Sequence, residues 1–126
     1  VLSIGPIGND VEKAINIIES ANSPSTQEHC PSIAHYDMRF LKPLDEIILQ
    51  EVAERFSRII TIEDGVRDGG LGTAVTEWMS DHGYTPHITR MGMPDHFVEQ
   101  GTVEQLRALC GIDIDGIKKQ LTSVKA

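Results

Sequence analysis

The sequence predicts an α/β domain, a three-layer αβα sandwich around a mainly parallel sheet. Three observations lead there. Short β-rich runs alternate with segments whose apolar residues recur at helical spacing. One of those runs, Ile59-Ile60-Thr61-Ile62, is among the most apolar in the chain, as a strand covered by helices on both faces should be. Glycines gather just after two of the strand-like runs, at Gly5–Gly8 and Gly69–Gly72, where the chain leaves a sheet to enter a helix.

The first strand is Val1–Ile4, closed by the glycine-rich turn Gly5-Pro6-Ile7-Gly8. Asn9 or Asp10 then caps a helix with Val11, Ala14, Ile15, Ile18 and Ala21 on its apolar face. The polar, proline-bearing stretch Asn22–Pro31 ends that helix and reads as an exposed loop insertion, longer than usual helix-to-strand connections. A second strand covers Ile33 to Met38. Pro43 marks a turn or a first helical position before a helix carrying Leu44, Ile47, Ile48, Val52 and Phe56. Ile59–Ile62 is the third strand, followed by Glu63-Asp64-Gly65. Asp68-Gly69-Gly70-Leu71-Gly72 opens a helix through Ala74, Val75, Trp78 and Met79, and His82-Gly83 closes it with glycine as the C-cap. The fourth strand is His87–Met91, with Gly92-Met93-Pro94-Asp95 as the loop beyond. Thr102 and Gln105 have capping-box spacing for a helix ending near Cys110-Gly111. A last helix, Asp113–Leu121, places Ile114, Ile117 and Leu121 on one face. With right-handed crossovers and double winding, the strand order is 2-1-3-4. The loops after Ile4 and Ile62 then face each other at the carboxyl edge, where a ligand of such a sheet belongs.

A length of 126 residues suits one domain with a single core, residues 1–126. The net charge of −8, with 11 scattered basic residues, argues against a nucleic-acid partner. No apolar run approaches the roughly 20 residues that a bilayer requires, so no membrane partner is expected. Cys30 and Cys110, outside any CxxC, fit a reducing cytoplasm. The opening Val1-Leu2-Ser3-Ile4-Gly5 has neither an initiator Met nor a basic n-region, and the chain is read as part of something longer.

The candidate chemistry is sparse. Gly69, Gly70 and Gly72 at a helix start would admit a phosphate or another backbone, but they are not GxGxxG and no P-loop lysine follows. Glu63, Asp64 and Asp68 would repel a phosphate there, so close packing on the sheet or on a partner domain is the preferred role. Glu63 and Asp64 follow a strand, where they serve as catalytic carboxylates or, with no readable partner, as caps or interdomain ion pairs. Asp37 and Arg39 follow another strand: Arg39 either grips a phosphate or carboxylate or joins Asp37 in a structural network. The five histidines, His29, His35, His82, His87 and His96, show no metal-ligand spacing. No G-x-S-x-G elbow supports a serine hydrolase. Trp78 is a core or interface anchor.

Tyr36-Asp37-Met38-Arg39-Phe40-Leu41-Lys42-Pro43-Leu44-Asp45 resembles the D-x-R-F-x-K-P-L-D stretch of 1-deoxy-D-xylulose-5-phosphate synthases. Thr61-Ile62-Glu63-Asp64-Gly65 with Gly69-Gly70-Leu71-Gly72-Thr73-Ala74-Val75 is similar to that family's T-x-E-[ED]-G…GG-[FL]-G-[ST]-x-V. Gly92-Met93-Pro94-Asp95-His96-Phe97-Val98-Glu99-Gln100-Gly101 matches its G-x-P-D-x-F-x-x-x-G. His96 and Gln100 depart from it, standing where relatives often carry a basic residue and a histidine. K-P-L-D and GG-x-G occur widely among transketolase C-terminal domains, whereas Arg39-Phe40 and Pro94-Asp95-His96-Phe97 point to the synthase.

The resemblance implies a transketolase C-terminal-like fold of four parallel strands, or five with an antiparallel edge strand. It also implies an enzyme that condenses pyruvate with glyceraldehyde 3-phosphate for isoprenoid, thiamine and pyridoxal synthesis. Thiamine diphosphate and Mg²⁺ would bind on the preceding domains, with no catalytic, cofactor or metal residue in this one. Its partners would be the other domains of the same chain and a second copy in a cytoplasmic homodimer. Asp37, Arg39, Glu63, Asp64, Gly69, Gly70, Gly72, Asp95 and His96 are then the candidate interdomain, dimer or crevice residues. Two alternatives stay open: another transketolase-like enzyme, and a stand-alone regulator binding a metabolite between Gly5–Gly8 and Glu63–Gly70.

Overall fold

Four strands line up in the order β2-β1-β3-β4, every neighbouring pair parallel, as the alternating pattern predicts. The computed structural model describes residues 1–22, 32–95 and 100–123. Its elements are β1 (Leu2–Ile4), α1 (Gly8–Ala21), β2 (Tyr36–Asp37), α2 (Glu46–Arg55) and β3 (Arg58–Val66), then α3 (Leu71–Asp81), β4 (His87–Met93), α4 (Val103–Leu109) and α5 (Ile114–Thr122). Residues 23–31, which make up nearly all of the predicted loop insertion, lie outside the described residues, as does His96.

The sheet divides the core in two. On one face, Val11, Ala14, Ile15 and Ile18 of α1 and Ile117 and Leu121 of α5 pack on Ile60, Ile62 and Met91. On the other, Leu49 and Val52 of α2 and Leu71, Val75 and Met79 of α3 pack with Leu2 and Ile59. Consecutive residues of β3 alternate between the two layers because side chains point to opposite sides along a strand.

Several boundaries differ from the sequence expectation, each for a reason outside the local pattern. β3 continues past Ile62 through Val66, taking in Glu63 and Asp64, because the chain resumes pairing with β4 (Val66 beside Met93) after a register shift. β4 correspondingly reaches Met93. β2 shrinks to two residues, since β1, its one neighbour among the described residues, is itself three residues long. α1 starts at Gly8, and neither Asn9 nor Asp10 is its N-cap: the turn Gly5-Pro6-Ile7 winds directly into it, with Gly8 N donating to Gly5 O at 3.1 Å. α2 is capped by Asp45, which accepts from the amides of Ile47 and Ile48, and Pro43 lies ahead of it. Ile47, expected on the buried stripe, is 82% exposed, and Leu49 is buried in its place.

Candidate functional site at the carboxyl edge

The two adjacent carboxylates of β3 point in opposite directions. Ile59, Thr61 and Glu63 face α3, and Ile60, Ile62 and Asp64 face α1. Their sequence neighbourhood suggests a joint role; the strand gives each its own partner.

Glu63 is 6% exposed and sits under the first turn of α3, where its Oε2 accepts from Gly72 N at 3.3 Å. Burial pushes its carboxyl above the ordinary 4.5, against the opposing pull of the Gly72 and Leu71 amides. A helix N-terminus presents unpaired amides and a partial positive charge. Here the chain's own glutamate fills that place. The glycines make room for it: a methyl on Gly70 would lie 2.0 Å from Glu63 Oε1, and one on Gly72 2.6 Å from Thr61 Oγ1. Gly69 answers a different demand, a backbone φ of +83°. Close packing of helix on sheet is therefore what Gly70 and Gly72 provide. The Thr61 hydroxyl beneath Gly72 is buried with no hydrogen-bond partner.

Asp64 joins a cluster on the other face. Arg107, from α4, grips it in a fork: Nε to Oδ1 at 2.8 Å and Nη2 to Oδ2 at 2.7 Å. The remaining Arg107 nitrogen, Nη1, donates to Asp10 Oδ2 at 2.8 Å. The Asp64 carboxylate raises the Arg107 guanidinium above its ordinary value. Sequence reasoning missed Arg107 altogether; it lies 43 residues from Asp64 and 97 from Asp10, and no local signal links them.

Asp37 and Arg39 stay apart from both groups. Asp37 Oδ1 accepts from the backbone amide of Arg39 at 3.1 Å, leaving the Arg39 guanidinium with no partner among the described residues. The expected Asp37–Arg39 network is thus a side-chain-to-backbone turn. Asp95 stands exposed beyond β4. Another pairing escaped the sequence reading: Ser3 Oγ and His35 Nε2 lie 2.7 Å apart, with Glu12 Oε1 3.9 Å from His35 Nδ1. Ser3 is fully buried, and a methyl on Gly8 would already approach its hydroxyl to 2.9 Å. No substrate carbonyl fits there, so the pair ties β1 to the segment before β2. Trp78 is half-buried and stacks on His82 and Tyr84, with ring centroids 4.0 Å and 6.1 Å away. A cleft of about 290 Å³ opens at the opposite, amino edge, among Leu2, Tyr36, Val52, Phe56, Ile59 and Leu121. Among the described residues no three His, Cys, Asp or Glu side chains are grouped to hold a metal ion.

Residues 6–117 match the family described as transketolase, C-terminal domain. A 1-deoxy-D-xylulose-5-phosphate synthase of Parabacteroides distasonis is 54% identical over 96% of this chain, which covers 18% of that protein. The synthase of Bacteroides thetaiotaomicron matches with the same identity and coverage, 54%, 96% and 18%. Among solved structures, a split-gene transketolase described as an inactive β4 tetramer superposes with a TM-score of 0.76 at 26% identity. That match takes in 95% of this chain and 36% of the other. The chain thus spans about 18% of the length of the curated relatives it matches.

Proposed function

The chain belongs to the transketolase C-terminal domain family, and from that premise we propose that it is the C-terminal domain of a 1-deoxy-D-xylulose-5-phosphate synthase. The whole enzyme joins the two-carbon unit left by decarboxylation of pyruvate to the aldehyde of glyceraldehyde 3-phosphate, releasing carbon dioxide. Thiamine diphosphate supplies the carbanion chemistry, with Mg²⁺ on its diphosphate, and both are held by the preceding domains.

The single observation that carries the division of labour is Glu63. The glycine-rich start of α3 is the helix start at which the sequence suggested an anion, and Glu63 already accepts from its amides. A diphosphate there would meet a buried carboxylate. The residues at that helix start do not fit the cofactor, and no catalytic step is assigned to them. The domain's task is assembly: packing against the rest of the same chain and supporting a homodimer in the cytoplasm. Two observations agree with that setting: no described helix is long and apolar enough to cross a membrane, and the split-gene transketolase is itself an oligomer. The named synthase relatives favour this reading over another transketolase-like enzyme.

Two assays test it. The full-length protein is expected to consume pyruvate with glyceraldehyde 3-phosphate, and to prefer pyruvate to sugar-phosphate donors; the reverse preference overturns the synthase assignment. The 126-residue chain, titrated calorimetrically with thiamine diphosphate and Mg²⁺, is expected to give no binding heat. Saturable binding would place a cofactor site in this domain after all.

A further inference from the structure

We propose that the turn after β2, Arg39-Phe40, is a docking prong that seats in the preceding part of the same full-length protein, with Arg39 paired to a carboxylate there. The proposal rests on the reading of this chain as one domain of a longer enzyme.

Arg39 has φ +55°, the only positive φ at a non-glycine residue among those described. L-residues avoid that region, and such outliers persist where the surroundings hold them and cluster at functional positions. The holding groups are visible. Asp37 Oδ1 takes the Arg39 amide at 3.1 Å, Phe40 N donates to Met38 O at 2.5 Å, and Met38 is buried in the core at 3% exposure. The turn is anchored on both sides of Arg39, and the strained residue is the one that faces out.

What it presents is a cation without a counter-charge. Arg55, Arg58, Arg67, Arg90 and Arg107 all have side-chain hydrogen bonds within the domain. Arg39 has none among the described residues. In a chain of net charge −8 an unpaired arginine could find local acidic partners, yet its nearest carboxylate, in sequence, is spent on its own amide. Beside it Phe40 is 67% exposed. An arginine next to an exposed aromatic ring is the composition of an interface anchor, where the ring fills an apolar recess and excludes water from the ion pair. A small phosphate ligand would use the guanidinium but would leave Phe40 in water. The occupant that uses both is a protein surface with a carboxylate at the rim of an apolar recess. The longer chain supplies such a surface at high effective concentration.

The test uses the full-length enzyme with Arg39→Gly and Phe40→Ala. Glycine is favoured at φ +55°, so Arg39→Gly removes the guanidinium without adding backbone strain. Both variants are expected to speed limited proteolytic release of this domain by roughly tenfold, the size of effect expected when an interface anchor is truncated. The KM for glyceraldehyde 3-phosphate is expected to stay at the parent value. Unchanged release in both variants overturns the proposal. A raised KM with unchanged release also overturns it, and would make Arg39 a ligand for the substrate phosphate. If the parent protein instead fails to condense pyruvate with glyceraldehyde 3-phosphate, the functional reading falls while the proteolysis comparison still decides the docking.

Discussion

A methyl group on Gly70 would lie 2.0 Å from Glu63 Oε1 and 2.6 Å from Val66 O, whereas one on Gly69 meets nothing within 4 Å. The two glycines are neighbours, yet a double-mutant cycle should separate them. Gly69→Ala is expected to cost about 1–2 kcal/mol through its φ of +83° alone, the same whether residue 63 is Glu or Ala. Gly70→Ala is expected to cost about 1–3 kcal/mol by overpacking, and distinctly less in a Glu63→Ala background, because one of its two obstacles is then gone. Equal costs for Gly70→Ala in both backgrounds would mean that Glu63 does not occupy the helix start. Glu63 also has a pH signature. Its folded carboxyl titrates above 4.5 because it is buried. A group whose folded pKa is raised contributes stability below its unfolded pKa, and loses that contribution as pH rises through the folded value. The wild type should therefore lose stability relative to Glu63→Gln as pH rises from below 4.5 toward neutrality. Urea melts at a series of pH values check the sign; a difference that is flat with pH, or that grows in favour of the wild type, rules it out.

Among the described helices, α4 is the least supported by packing, since none of its residues is buried and Val103 and Leu109 are 62% and 71% exposed. What defines it is local: the Thr102 hydroxyl accepts from Gln105 N at 3.2 Å, and the Gln105 side chain returns to Thr102 N at 3.1 Å. Thr102→Ala is expected to cost about 1 kcal/mol, appearing as faster hydrogen exchange in the α4 amides while β3 stays protected. Uniform loss of protection across the sheet would contradict it. This capping box was legible in the sequence because both partners lie within one turn. So were the strand order, once double winding is assumed, and the glycine that ends α3: His82 is the C-cap and Gly83 follows it with a φ of +78°. The rest depended on contacts that no window contains. Ile47-Ile48-Leu49 is continuously apolar, so periodicity could not say which of the three faces the sheet. The structure buries Leu49, packs Ile48 partly against the same core and leaves Ile47 out. Glu63 and Asp64 were legible as a pair at a strand end, but that the strand runs on through them and so turns them to opposite faces rests on pairing with β1 and β4, outside any window. Arg107 was illegible for the same reason.

At the scale of the whole molecule, Arg107 holds together parts that the hydrophobic core does not. The two core layers lie on either side of the sheet, but neither draws buried residues from α4. The Arg107 guanidinium makes that connection, joining α4 to the start of α1 through Asp10 and to the end of β3 through Asp64. Its geometry also matters for charge. Two carboxylates converge on one cation, and among the described residues the other cation at hand is Lys13, 3.6 Å from Asp10 and 64% exposed. Removing Arg107 leaves Asp10 and Asp64 facing each other without a neutralising group. Breaking a fully buried pair costs about 3–5 kcal/mol and an exposed one about 0–1. The side chains here are 15% (Arg107), 18% (Asp10) and 34% (Asp64) exposed, which places the cost between those limits. Arg107→Met, which keeps the length of the side chain, is accordingly expected to destabilise the domain by about 2 kcal/mol in urea melts. Asp115→Asn, which breaks a surface pair 89% exposed on its acidic side, should change stability by no more than about 0.5 kcal/mol. Added salt screens exposed charges more than sheltered ones, so the Arg107→Met deficit should persist at high ionic strength. A deficit that vanishes in salt would demote the cluster to a surface ion pair. It would then leave the capping box as the main support of α4.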